Sequence, residues 1–188
     1  MLVKLNKKYP KIKEMLLRPF LIKINPNIIS SLALVAALIS GWLFINDIIF
    51  LAGIFILLNG FFDILDGEIA RKYRLATKKG DFLDHVLDRV SDIVIILGLS
   101  FSSYVPDWLG YATIIIVLLV SYLGTESKSM IGGRLYSGII GRADRLIIIV
   151  LGCFLFPFVN FIEYSLWLIF ILSIITFVQR FWIIYRNI

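Results

Sequence analysis

The sequence contains very little cysteine, histidine or charge for its length. Its 188 residues include one cysteine, Cys153, and one histidine, His85. A single cysteine excludes an intramolecular disulfide. Charged residues make up only 17% of the chain, whereas hydrophobic residues make up 60%. Because soluble domains are usually about 45–50% apolar, the composition excludes an ordinary soluble domain and predicts a protein whose surface is mostly covered by lipid.

Basic residues are also absent from three of the connections between apolar runs. No Lys or Arg occurs near Asn46 and Asp47, at Tyr104–Asp107 or at Asn160–Glu163, although the chain has nineteen basic residues and a net charge of +6. This alternation follows the positive-inside rule and predicts a multi-pass protein of the cell membrane with both termini in the cytosol. The same distribution argues against a nucleic-acid partner, which would favour a continuous basic stripe.

The apolar runs predict an all-α integral membrane fold with six transmembrane helices. No linker or repeat divides the chain, so residues 1–188 are expected to form one domain. Residues 1–24 interleave lysines with apolar side chains, which predicts an amphipathic helix at the membrane interface; a solvated basic tail is the alternative. The predicted spans are approximately Asn27–Ile45, Ile48–Tyr73, Asp81–Ser102, Trp108–Met130, Arg142–Val159 and Ile162–Arg186.

Four aspartates near the cytosolic ends of the second and third predicted helices form two pairs. Asp63 and Asp66 are three residues apart, and Asp84 and Asp88 are four apart, so each pair lies on one helix face. Because a short basic loop joins the two helices, they should be antiparallel neighbours. We expect the four carboxylates to lie close together on the cytosolic side.

Such a cluster is costly unless positive charge compensates it. An ionised aspartate within a membrane helix costs about 2.5–3.5 kcal/mol, and neighbouring carboxylates repel one another. Two divalent cations would relieve both effects, and oxygen-only ligands favour Mg²⁺, or Mn²⁺, over zinc. The alternative is that these aspartates form ion pairs with Arg71, Arg89 and nearby lysines. Mg²⁺ also keeps positions open for phosphate oxygens, so the pattern indicates a phosphate-handling site.

The aspartates belong to a longer pattern, D-x2-D-G-x2-A-R-x8-G-x3-D-x3-D, which resembles the motif of the CDP-alcohol phosphotransferases. The eight fixed positions span 26 residues and are Asp63, Asp66, Gly67, Ala70, Arg71, Gly80, Asp84 and Asp88. The resemblance implies a membrane enzyme, expected to be a homodimer, that moves the phosphate-bearing group of a CDP-lipid onto an alcohol and releases CMP. CDP-archaeol and CDP-diacylglycerol are both open as donors.

The same resemblance assigns roles to individual residues. It implies that Asp63, Asp66, Asp84 and Asp88 bind two metal ions, and that Asp88 is also the general base for the acceptor hydroxyl. The residues that it implies for the CDP moiety are Pro26, Asn27, Gly67, Arg71 and Thr77.

A second basic cluster precedes and opens the fifth predicted helix. It consists of Lys128, Arg134, Arg142 and Arg145. Arg142 and Arg145 lie on one face at a helix N-terminus, which favours an anion and therefore predicts an acceptor that already carries a phosphate. The segment from Tyr122 to Arg145 also resembles the family branch that uses inositol phosphate. Inositol phosphate is thus the first expectation and glycerol 3-phosphate the second; positive-inside charge alone is the alternative.

Two other classes of membrane protein use aspartates. A divalent-cation transporter would carry charge deeper in the bilayer, on helices broken at the midplane. A membrane prenyltransferase would carry two separate Asp-rich motifs on more helices. One composite motif near one side of six helices favours the transferase.

Overall fold

A computed structural model describes residues 18–130 and 138–188, and within these ranges the regular structure is entirely helical. The predicted amphipathic helix lies mainly outside this part of the chain; of residues 1–24, the structure describes a 3₁₀ turn at Arg18–Phe20 and the irregular link that follows. The six α-helices described are α1 Pro26–Ile45, α2 Ile49–Lys72, α3 Lys78–Ser100, α4 Asp107–Met130, α5 Arg142–Leu155 and α6 Phe161–Arg186.

Side-chain caps fix the starts of α1 and α3. The Asn25 side chain accepts a hydrogen bond from the Asn27 amide at 3.1 Å, and Pro26 occupies the first turn of α1. The Thr77 hydroxyl accepts a hydrogen bond from the Gly80 amide at 3.0 Å. Because this cap satisfies an otherwise free amide, α3 begins at Lys78, before the predicted start. Both capped ends border the cavity described below.

Helix α5 is shorter than expected. It has 14 residues and ends at Leu155 rather than at Val159. Pro157 explains the difference, because a proline has no amide hydrogen to donate to the carbonyl four residues earlier, so the helical hydrogen-bond series is interrupted there. At 1.5 Å per residue, α5 is about 21 Å long, which is less than the roughly 30 Å of a bilayer core.

Four of the helices in the described ranges are long and apolar enough to cross a membrane. They are α1, α2, residues 107–127 of α4, and α6. Helix α3 has 23 residues, but its first half carries the acidic residues of the predicted site. These acidic residues account for the low hydropathy of α3.

The helix carrying the second aspartate pair packs closely against α1. A Cβ atom at Gly98 of α3 would lie 2.5 Å from the Cα atom of Gly41, and a Cβ at Gly41 would lie 2.8 Å from the carbonyl oxygen of Val94. Glycine at both positions lets the two backbones approach each other. Asn59 of α2 is buried and donates a hydrogen bond to the Ala33 carbonyl of α1 at 2.9 Å. Helix α1 thus holds α2 and α3 in place.

Candidate active site

The aspartates of α2 lie in different environments. Asp66 is 5% exposed, and its Oδ2 accepts a hydrogen bond from the Ser30 hydroxyl of α1 at 2.6 Å. Asp63, one turn earlier on the same face, remains partly exposed. Ser30 therefore orients one carboxylate of the predicted metal site, while the other is open to a ligand.

The aspartates of α3 lie beside the only histidine. Asp84, His85 and Asp88 each offer a ligand atom, and these atoms all lie within 4.8 Å of one another. His85 Nδ1 is 3.9 Å from Asp84 Oδ2, and His85 Nε2 is 3.6 Å from Asp81 Oδ1. The imidazole thus lies beside the acidic side chains of its own helix.

One guanidinium nitrogen joins the aspartates of the two helices. Arg142 Nη1 lies 2.9 Å from Asp63 Oδ1 and 2.8 Å from Asp88 Oδ1. Carboxylate oxygens from α2 and α3 therefore converge on one centre of positive charge. Asp63, Asp84 and Asp88 offer hard oxygen donors, with His85 beside the last two. Such oxygens suit Mg²⁺ or Mn²⁺, so these carboxylates fit the cations that the sequence pattern implies.

The motif aspartates do not form the ion pair with Arg71 that the alternative interpretation of the sequence predicts. Arg71 is exposed and forms its ion pair with Glu68, at 2.9 Å. Arg89 Nη2 lies 3.8 Å from Asp88 Oδ2, a long contact. The main basic partner of the cluster is Arg142, from a helix distant in sequence.

A cavity of about 210 Å³ opens beside Asp66 and Asp84. The residues predicted to contact the CDP moiety all line it, together with parts of the α2–α3 connection. A side chain at Gly80 would place a Cβ 3.2 Å from Thr77 Oγ1 and 3.3 Å from Asn27 Oδ1, so glycine keeps room there for both polar side chains. The lining residues are Pro26, Asn27, Ser30, Asp66, Gly67, Ala70, Arg71, Leu75, Ala76, Thr77, Gly80, Asp81 and Asp84.

The arginines of α5 share one buried aspartate. Arg142 Nε lies 3.1 Å from Asp92 Oδ1, and Arg145 Nη2 lies 2.8 Å from Asp92 Oδ2. Asp92 and Arg145 are each 3% exposed. Asp92 is thus an ion-pair partner of both arginines, and Arg145 faces this aspartate rather than the open cavity. Of the other predicted acceptor residues, Arg134 and the side chain of Lys128 lie outside what the structure describes.

Sequence reasoning missed two polar residues of the site, Ser30 and Asn59. Asn59 lies one turn before Asp63 on α2, and its Oδ1 is 3.5 Å from Arg142 Nη2. An amide inside an apolar run must find hydrogen-bonding partners, so its position on the Asp63 face was an available signal. Ser30 had no comparable signal, since serines occur in several of the predicted helices.

Comparison with known proteins places this geometry in a family. The family model described as CDP-alcohol phosphatidyltransferase matches residues 23–179. The archaetidylinositol phosphate synthase of Pyrococcus horikoshii is 33% identical over 180 residues, which cover 94% of each chain. The phosphatidylinositol phosphate synthase of Mycobacterium tuberculosis is 33% identical over 136 residues, covering 63% of this chain and 59% of that protein.

Solved structures of the Mycobacterium tuberculosis enzyme share the fold. The structure with CDP-DAG bound superposes with a TM-score of 0.77 at 27% identity and covers 93% of this chain and 92% of the other. The complex with manganese and citrate gives a TM-score of 0.77 at 28% identity, covering 93% and 87%. The likeness therefore extends well beyond the motif.

Proposed function

The chain belongs to the CDP-alcohol phosphatidyltransferase family, and we propose that it transfers the phosphatidyl-type group of a CDP-lipid to a hydroxyl of inositol phosphate, releasing CMP. It is a metal-dependent CDP-alcohol phosphotransferase of phospholipid biosynthesis. The proposed acceptor follows that of the relatives that it resembles over most of its length. CDP-archaeol and CDP-diacylglycerol are the two candidate donors, and glycerol 3-phosphate is the second candidate acceptor.

The observation that carries this proposal is the position of Arg142 against the predicted base. Its Nη1 lies 2.8 Å from Asp88 Oδ1. A phosphate that binds near this guanidinium would bring the rest of a small polyol next to the Asp88 carboxylate. Charge-assisted hydrogen bonds from arginine to phosphate are strong and directional, so Arg142 can orient the acceptor.

Asp63, Asp66, Asp84 and Asp88 would hold two divalent cations, Mg²⁺ or Mn²⁺. Bound there, the cations would neutralise the diphosphate of the donor and the charge that develops on departing CMP. Ser30 supports this assignment, because its hydroxyl holds the carboxylate of Asp66 at 2.6 Å. The manganese complex of the related Mycobacterium tuberculosis enzyme is consistent with it.

A residue of the chain, Asp88, accounts for the proton transfer that activates the acceptor hydroxyl as the nucleophile. Asp88 removes the proton from the acceptor hydroxyl, whose oxygen then attacks the β-phosphorus of the CDP-lipid. The phosphoanhydride bond breaks as the new phosphoester bond forms, and the bond electrons leave with CMP. Asp88 is only 17% exposed, so it is shielded from competing bulk water.

The nucleotide and the acceptor approach from different directions. The cavity lined by Pro26, Asn27, Gly67, Arg71 and Thr77 would bind the CDP moiety. The acceptor phosphate would meet Arg142; Lys128, Arg134 and Arg145 are the other basic residues that the sequence predicts for it. Buried Arg145 would contribute positive potential rather than a direct contact, because its guanidinium binds Asp92.

We further propose that all six helices cross the membrane, α5 together with the hydrogen-bonded turn that follows it to Val159, with both termini and the site on the cytosolic side. The charged residues of α3 end at Asp92, and an apolar stretch follows to Ser100, which supports a span with its charged end in the cytosol. Residues 1–24 would form the interfacial segment of a single domain, residues 1–188. A homodimer without a nucleic-acid partner is the corresponding assembly.

Metal-dependent release of CMP tests the function. Purified enzyme is given CDP-archaeol or CDP-diacylglycerol with inositol phosphate, glycerol 3-phosphate, inositol or serine, with and without Mn²⁺. We expect release to need the metal and to be fastest with inositol phosphate. Preference for an acceptor without a phosphate would refute the proposed acceptor, and no release with any pair would refute the activity.

A further inference from the structure

We infer that Asp92 is a positioning residue of the transferase, fixing Arg142 beside Asp88 so that the acceptor phosphate and the base are in register. This inference rests on the proposed function. Asp92 is not one of the eight motif positions. It lies one helical turn beyond Asp88 on the same face of α3. It would act through Arg142 and would not touch either substrate.

Each oxygen of the Asp92 carboxylate contacts a different arginine of α5. Oδ1 accepts from Arg142 Nε at 3.1 Å, and Oδ2 accepts from Arg145 Nη2 at 2.8 Å. The two arginines are three residues apart on one helix face, so one carboxylate on α3 holds both. Asp92 of α3 thereby fixes the positions of the two guanidiniums in the N-terminal turn of α5.

The contacts of Arg142 leave its guanidinium little freedom. Nε binds Asp92, Nη2 lies 3.5 Å from Asn59 Oδ1, and Nη1 lies within 2.9 Å of oxygens from Asp63 and Asp88. Because the guanidinium is planar, holding Nε largely determines where Nη1 points. Loss of the Asp92 contact would leave Nε unrestrained while leaving the four motif aspartates unchanged.

The burial of Asp92 argues against a purely stabilising role. Taking a carboxylate and two guanidiniums out of water is costly, and a buried ion pair often contributes no more stability than well-packed apolar residues. Asp92 is 3% exposed and Arg145 equally so. A costly arrangement next to a catalytic base is explained if it positions the group that binds the acceptor.

Asp92→Asn is the direct test, with steady-state kinetics measured separately for each substrate. We expect the KM for inositol phosphate to rise by about tenfold or more, while the KM for CDP-lipid and the Mn²⁺ dependence change less than about twofold. Asp47→Asn is the matched control. Asp47 also accepts two hydrogen bonds, from the Ser103 amide and hydroxyl, but it lies in the α1–α2 connection away from the site. Equal changes in both KM values would overturn the inference.

A double-mutant cycle tests whether Asp92 acts through Arg142. If it does, adding Asp92→Asn to Arg142→Ala should raise the acceptor KM no further than Arg142→Ala alone. Multiplicative effects would show that the two residues act independently and would refute the positioning role.

Folding is monitored because Asp92→Asn leaves Arg145 buried beside a neutral partner. A second variant, Asp92→Asn with Arg145→Gln, removes both charges and keeps hydrogen-bonding groups. The same selective rise in acceptor KM is expected in a folded sample of this variant. If neither variant folds, Asp92 is structural and the inference fails. If the wild-type enzyme uses inositol phosphate but the folded variants match it, only this inference fails, whereas a wild-type enzyme without that activity refutes the proposed function.

Discussion

The site has a carboxylate half and a guanidinium half, and they differ in burial and in their distribution along the chain. The carboxylate half is Asp63, Asp66, Asp84 and Asp88, all within 26 consecutive residues of α2 and α3. The guanidinium half is Asn59, Asp92, Arg142 and Arg145, drawn from α2, α3 and α5. Three of the four aspartates in the first half keep some exposure, whereas Asn59, Asp92 and Arg145 in the second are almost fully buried.

This difference indicates that the two halves have different roles. Partly exposed carboxylates next to a cavity can exchange ligands as the donor binds and CMP leaves. In the guanidinium half, Asp92 contacts both arginines and Asn59 contacts Arg142, so it is preorganised rather than adaptable. Arg142 belongs to both halves, since it contacts Asp92 on one side and Asp63 and Asp88 on the other.

Removing the metal should give the largest effect and should act through the carboxylate half. We expect chelation with EDTA to reduce CMP release by at least about a thousandfold, because the donor diphosphate and the leaving group then lack compensation. Mn²⁺ or Mg²⁺ should restore the rate. Circular dichroism in EDTA should retain the helical signal. Full turnover in EDTA would contradict the metal assignment.

Replacing the base should separate catalysis from donor binding within the same half. We expect Asp88→Asn to lower kcat by roughly 10²–10⁴-fold, the usual contribution of general acid–base catalysis. CDP-lipid binding, measured by calorimetry, should stay within about threefold, because Asp88 does not line the nucleotide cavity. Asp107→Asn, an exposed aspartate at the start of α4, serves as the control. Near-normal turnover in Asp88→Asn would remove the base assignment.

The two halves also differ in how far the sequence could predict them. The carboxylate half follows from helical spacing, because i, i+3 and i, i+4 residues share a face whatever the rest of the fold does. Gly67, Arg71 and Thr77, which are predicted to bind the nucleotide, are local to the same segment. Their common cavity with Pro26 and Asn27 was expected from the family resemblance.

The guanidinium half depends on tertiary contacts that spacing does not encode. Arg142 and Arg145 were predicted to share a face, but their shared partner Asp92 lies on a helix far away in sequence. Nothing local to α5 indicates that Arg145 is buried. Two helix limits also differ from those predicted by hydropathy. The cap at Thr77 starts α3 earlier, and Pro157 ends α5 earlier.

Replacing Arg142 and replacing Arg71 should impair the use of different substrates. We expect Arg142→Ala to raise the acceptor KM by about 10- to 100-fold, the loss associated with hydrogen bonds to a charged group, with a smaller change for CDP-lipid. Arg71→Ala should do the reverse, because Arg71 lines the nucleotide cavity. Both KM values are measured for each variant. Parallel defects in the two variants would mean that the halves do not divide the substrates between them.

The smallest expected effect concerns the contact that orients Asp66. The Ser30 hydroxyl donates to Asp66 Oδ2 at 2.6 Å, and Ser30→Ala removes this hydrogen bond while leaving all four carboxylates in place. Groups that support metal ligands typically account for 10- to 100-fold in metal affinity, so we expect the Mn²⁺ concentration for half-maximal activity to rise about tenfold. The KM for inositol phosphate should not change, because Ser30 has no contact with the guanidinium half.

Ser31→Ala is the matched control for this variant. Ser31 is exposed, and its hydroxyl donates to the Asn27 carbonyl of its own helix at 2.9 Å rather than to an aspartate. We expect its Mn²⁺ requirement to stay within about twofold of the wild type, since no metal ligand loses a partner. If Ser30→Ala altered the acceptor KM but not the Mn²⁺ requirement, Asp66 would belong functionally with Arg142, and the division between the two halves would have to be drawn elsewhere.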